Sequence, residues 1–170
     1  MKRFFPIAFF ALAVLFAATA AWAHDHRVPR ANLRVNEQVK RLHPWSVSWV
    51  SASGPGCVGQ EIDGVPDFRP RAEVDHLHSS PRIVFHKEQK PRRVNALSSR
   101  HLAHDGYLAN GRKLDVHLRP RHRDGHRVWV ARLETSVRHR LFVDLTVLWR
   151  DDEGCGGSES ASWDFRLKRA

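Results

Sequence analysis

Between Leu141 and Trp149 every second residue is apolar: Leu141, Val143, Leu145, Val147 and Trp149 alternate with Phe142, Asp144, Thr146 and Leu148. Successive side chains of a pleated strand point to opposite faces, so this period predicts a strand with one face buried. Asp151-Asp152-Glu153-Gly154-Cys155-Gly156-Gly157-Ser158 then supplies turn chemistry, and Ala161, Trp163, Phe165 and Leu167 resume the alternation. The two runs are expected to be the last strands, antiparallel and joined by the loop that carries Cys155.

The same period recurs upstream in shorter pieces: Ala31/Leu33/Val35, Trp45/Val47/Trp49, Ile83/Phe85, Leu114/Val116/Leu118 and Val128/Val130. Asp124-Gly125 reads as a two-residue hairpin turn between strands near 113–119 and 127–134. Gly54-Pro55-Gly56, Pro66 and Pro70 make the region 53–72 a predicted long loop, and Ala96, Leu97, His101 and Leu102 allow a short helix within 96–109. No other stretch carries an apolar stripe at helical spacing. About seven or eight short strands predict an all-β fold of two packed antiparallel sheets, a β-sandwich. Trp45, Trp49, Trp129, Trp149 and Trp163 all fall on predicted strands and are expected to fill the space between sheets. Trp129 is the one to watch, because Val128 and Val130 must occupy the face opposite to it.

The amino terminus sets the compartment. Lys2 and Arg3 precede an apolar run from Phe4 to about Ala20, and Ala21-Trp22-Ala23 places small residues at −3 and −1 of the Ala23/His24 bond. Residues 1–23 are read as a cleaved secretory signal, 24–30 as a flexible mature terminus and 31–170 as a single β-sandwich domain with no membrane span. A secreted or periplasmic location follows, and in an oxidising compartment the only two cysteines, Cys57 and Cys155, are most simply one disulfide. A metal pair or two free thiols are the other readings. Closing so long a loop is worth roughly 4 to 5 kcal/mol by chain entropy. The formal net charge of +10 falls by only two when Lys2 and Arg3 leave, and all 12 histidines remain. Export directs such a charge toward an anionic envelope component or a partner protein, and away from nucleic acid.

Several short motifs point to a group. Trp45-Ser46-Val47-Ser48-Trp49, a glycine loop to Cys57, Arg82-Ile83-Val84-Phe85, Lys90-Pro91-Arg92-Arg93-Val94, Leu145 to Trp149 and Ser162-Trp163-Asp164-Phe165 together resemble uncharacterised exported bacterial proteins. The resemblance spans most of 31–167 and implies an immunoglobulin-like antiparallel sandwich, but no activity. In that group the second-strand tryptophan often follows a cysteine, a place that Ser48 takes here.

Candidate chemistry is sparse. If cleavage precedes His24, the free amine, two backbone nitrogens and the imidazole of His26 form a square-planar set for copper or nickel. Alternatively, the amine and side chain of His24 with a remote histidine make a copper brace. His76 and His78, two apart, are a second possible metal pair if they share a strand face, with His86 or His43 as a third ligand. His101, His104 and Asp105 form a weaker cluster. Arg119, Arg121, Arg123 and Arg127 crowd the tip of the predicted hairpin and are candidate anion ligands, since guanidinium groups bind oxyanions bidentately. No nucleophile elbow, phosphate loop or dinucleotide fingerprint occurs, so no catalytic residue is nominated. The expected function is a secreted, non-enzymatic binding or structural module with a basic, histidine-rich surface and no resident cofactor. The alternative is an extracytoplasmic copper- or nickel-binding protein using His24-Asp25-His26.

Overall fold

A computed structural model describes residues 28–170 apart from 54–55, 77, 151–154 and 156–157. The described chain is all β. In chain order its strands are β1 (Arg30–Val35), β2 (Gln38–Leu42), β3 (Pro44–Ser53), β4 (Gly56–Asp63), β5 (Arg71–Val74), β6 (His78–Ser79) and β7 (Arg82–His86), followed by β8 (Arg93–Ser99), β9 (Arg112–Lys113), β10 (Val116–Arg123), β11 (His126–Leu133), β12 (Thr135–Ser136), β13 (Arg140–Arg150) and β14 (Ser158–Arg169). One sheet runs β10-β11-β7-β1-β2 and the other β4-β3-β14-β13-β8-β9, with β5 parallel to the end of β14 and a small β6/β12 pair apart. Every other pairing is antiparallel.

The sheets pack face to face through the alternating apolar positions. Leu33, Ile83, Phe85, Trp129, Ala131 and Leu133 come from the first sheet, and Val47, Trp49, Leu145, Trp149, Trp163 and Phe165 from the second; all lie in one buried cluster. Aromatic edges lock the layers. The Phe85 ring on β7 sits 6.1 Å from Trp149 and 5.7 Å from Trp163 on the opposite sheet, and Trp49 meets Trp149 at 5.7 Å. Edge-to-face rings gain about 0.5–1.5 kcal/mol per pair beyond their burial.

The strands outnumber the seven or eight expected, partly because β6, β9 and β12 are only two residues long. Two local expectations are corrected. The predicted loop 53–72 contains β4, which pairs with β3 over eight residues from Ser46↔Asp63 to Ser53↔Gly56. As an edge strand exposed along its described side chains, β4 needs no apolar alternation, so none was there to read. The region 96–109 holds no helix: Ala96 and Leu97 lie within strand β8, which continues to Ser99 and whose partner β13 dictates extended backbone, and turns follow.

The Asp124-Gly125 hairpin forms as expected. Both residues have positive φ, 52° and 79°, the left-handed pair that a tight β-hairpin requires. Cys57 and Cys155 are joined, with Cα atoms 5.9 Å apart and a sequence separation of 98. The bridge fastens the start of edge strand β4 to the loop between β13 and β14, so it staples one end of one sheet.

Trp45 is the exception among the tryptophans. The β3–β14 register slips between Ser162 and Trp163, and this bulge turns Trp45 out of the core. Its indole N–H donates to Asp144 Oδ1 at 3.4 Å, and its ring meets Tyr107 edge-on at 6.1 Å. Gly64 closes against this bulge: a Cβ there would lie 2.7 Å from the Trp45 carbonyl oxygen.

Candidate functional site

The outward face of the five-stranded sheet carries a group of arginines. Trp129 points into the core, so Val128 and Val130 line the opposite face, joined there by Val84 from β7. Strand register sets arginines around these valines. Arg132 is opposite Arg82, and Arg82 is opposite Arg34, so three guanidinium-bearing residues stand side by side on β11, β7 and β1. Two residues further along, Arg119 of β10 is opposite Val130, and Arg121 is opposite Val128.

Together these residues border an open cavity of about 510 Å³. Its floor is apolar but not bare: Val84 is 6% exposed and Val128 5%, a shielding that long arginine stems provide by lying across a sheet face. Countercharge is scarce. The carboxylate on the lining, Glu134, is taken by His117 Nε2 at 3.2 Å. Among the described residues Arg34, Arg82, Arg119 and Arg121 have no acidic partner, and Arg34 Nε is shut from solvent without a hydrogen bond. Arg132 donates only to the hydroxyl of Ser80, at 3.1 Å.

His86 senses this field. It lies at the end of β7, its ring nitrogen 2.9 Å from Asn32 Nδ2. Burial pushes its pKa below the usual imidazole value, and the charges of Arg123, Arg34 and Arg30 push it further the same way.

The expected four-arginine tip divides. Arg119, Arg121 and Arg123 share the outward face with Val128 and Val130, but Arg127 is two residues from Trp129 and belongs to the other side of the pleat. Arg123 is also engaged by Asp124, at 3.5 Å. The anion candidates of the hairpin are therefore joined by Arg34 and Arg82, and by Arg132, none of which the tip motif signalled. Each occupies the polar position between two core residues, a pattern visible in the chain, but only register brings the three together.

His76 and His78 do not share a strand as expected. His76 lies in the bend before β6, while His78 pairs with Ser136 on β12; a two-residue strand is too short to hold both. Among the described residues no group of three histidine, cysteine or acidic side chains is placed to hold a metal. His24 and His26, with the rest of 1–27, fall outside the described residues.

Two carboxylates sit on the outward face of the other sheet. Asp144 and Asp164 are direct cross-strand partners on β13 and β14. Asp164 Oδ2 accepts the backbone N–H of Phe68, at 3.1 Å, and that of Asp67, so it anchors the segment after β4 across the sheet. Burial raises the pKa of both; for Asp144 the indole hydrogen bond from Trp45 opposes the rise and the neighbouring Asp164 charge adds to it. With its hydrogen bonds directed to backbone and indole, the pair serves to fasten structure. In comparisons with family models, curated proteins and solved structures, no match to this chain is found.

Proposed function

We propose that this protein is an exported, non-enzymatic binding module of immunoglobulin-like sandwich type, whose outward face on the five-stranded sheet takes up an anionic component of the envelope. The observation that carries this reading is the in-register row Arg34–Arg82–Arg132. Like charges directly opposite one another in a sheet destabilise it, so a row of three without acidic partners is a cost that an oxyanion ligand relieves. The disulfide is compatible with an extracellular or periplasmic protein. No helix among the described residues is long and apolar enough to cross a membrane. Removal of residues 1–23 as a signal is part of the same reading.

Sulfate titration followed by arginine side-chain Nε–H resonances tests it. Signals from Arg34, Arg82 and Arg132 are expected to move together and saturate, while Arg127 stays still. Uniform small shifts at all arginines would mean general screening and would sink the proposal.

A further inference from the structure

The two large sheets end in four strands, and three of these are guarded by cations. β10 carries Arg119, Arg121 and Arg123 around Pro120, β2 carries Lys40 and Arg41, and the two-residue β9 is Arg112-Lys113. Basic side chains, proline and shortness all keep an edge from pairing with another chain. The fourth edge, β4, has none of the three. It is eight residues long and lies in a stretch from Leu42 to Phe68 without Lys or Arg, in a chain that holds 28 of them. Among the described residues its backbone pairs with β3 alone, and the Cys57–Cys155 bridge ties down its start.

The side chains of this edge are also unfinished. Val47 and Trp49 of β3 face the core, and their register partners on β4 are Ile62 and Gln60. The core-facing side of β4 therefore carries Ile62 and Val58, while Gly59, Glu61 and Asp63 belong to the outer face. Yet Ile62 is 42% exposed and Val58 56%, so the five-stranded sheet leaves this edge uncovered.

We propose that β4 is a dimer interface, pairing antiparallel with β4 of a second copy across a twofold axis at Gln60. This register sets Val58 opposite Ile62 twice on one face and Glu61 opposite Gly59 twice on the other, so apolar groups meet and no carboxylate faces another. Other registers lose one of these matches. Moving the axis to Glu61 opposes two like charges, moving it to Gly59 sets Ile62 against Gly56, and a one-residue slip turns the core side of one copy against the outer face of its partner. About six to eight backbone hydrogen bonds join the copies. The occupant is a second copy because the formal charge of +10 makes whole molecules repel, and the β3–β4 edge is where two of them meet without opposing a Lys or Arg. The arginine face lies on the other sheet and stays open.

Sedimentation equilibrium on the exported protein tests the pairing. The parent is expected to approach twice the chain mass as concentration rises. Two double variants then read the register: Val58→Glu with Ile62→Glu places like charges opposite each other twice, and Val58→Lys with Ile62→Glu places opposite charges there. Both positions are exposed in the single chain, so the two variants should melt alike when dilute. The Glu/Glu variant should dissociate more readily than the Lys/Glu variant by about tenfold or more. General charge repulsion predicts the reverse order, because the Glu/Glu variant has the lower net charge. A parent that stays monomeric, or equal or reversed affinities of the two variants, would overturn the proposal. So would a mass that grows beyond the dimer, which would mean head-to-tail addition through a different edge.

Discussion

Lys87 shows how much one charged residue can hold in this core. Its Nζ lies 2.9 Å from Glu159 Oε2, and the two side chains are only 19% and 7% exposed. The same ammonium sits 4.3 Å from the centroid of the Trp49 ring, so the pair closes one end of the aromatic cluster. Truncating Lys87 leaves a buried carboxylate short of its cation. Lys87→Ala is expected to lower stability by about 3 kcal/mol in urea denaturation. The exposed pair Arg69–Asp67, at 3.0 Å, makes the contrast: Arg69→Ala should cost no more than about 0.5 kcal/mol. Asp144 obeys the opposite sign. Its folded pKa is raised, chiefly by burial, so its ionised form weighs against the fold at neutral pH and the weight lifts as pH falls through the raised value. Asp144→Asn keeps an oxygen for the Trp45 indole and removes the charge facing Asp164. The variant should gain about 1 kcal/mol at neutral pH, the gain shrinking in thermal melts as pH drops toward the ordinary carboxylate range.

At the scale of elements, the legible parts were those where one face is buried and the other wet. β13 and β14 announce themselves because Leu141 to Trp149 and Ala161 to Leu167 alternate without a break, and the core indeed takes those positions. Strand β4 was not legible, since Gly56 to Asp63 lies at an edge and is stabilised by backbone pairing to β3 that leaves no mark in side-chain type. A bulge likewise reversed Trp45, which the period alone would bury beside Val47. The candidate site was half visible. The hairpin arginines cluster in sequence, whereas Arg34, Arg82 and Arg132 lie far apart along the chain and meet only through register across β1, β7 and β11. That row makes its own prediction about the free protein. Replacing the middle member, Arg82→Thr, removes two cross-strand repulsions and installs a residue suited to a central strand. Thermal stability without ligand should rise by a few degrees while sulfate loses its stabilising effect. An unliganded variant less stable than the parent would show that the arginines support the sheet instead of serving a ligand.

Across the whole molecule, charge and protonation are coupled through the same face. The chain carries a formal net charge of +10, and the outward face of one sheet holds Arg34, Arg82, Arg119 and Arg121, which have no acidic partner among the described residues. His86 reports the consequence: burial, then Arg123, Arg34 and Arg30, holds its pKa below the unfolded value. As pH falls below about 6.5, the unfolded chain takes up a proton there that the folded protein refuses. Stability therefore declines through that window, down to the depressed folded pKa. Asp144 and Asp164 act in reverse, because their raised folded values favour proton uptake by the native state as acid is added. A bound oxyanion changes only the first of these terms. By cancelling the arginine field it lifts the His86 pKa, and by reciprocity protonation of His86 must tighten anion binding by the same factor. Sulfate, whose own charge does not change in this range, separates the effect from ligand titration. Its affinity is expected to rise as pH falls from about 7.5 to about 5.5. In His86→Gln, which keeps a polar partner for Asn32, that rise should be largely lost. The histidine resonance itself must move to higher pKa with sulfate present; an unchanged titration curve would show that His86 and the arginine row do not share a ligand.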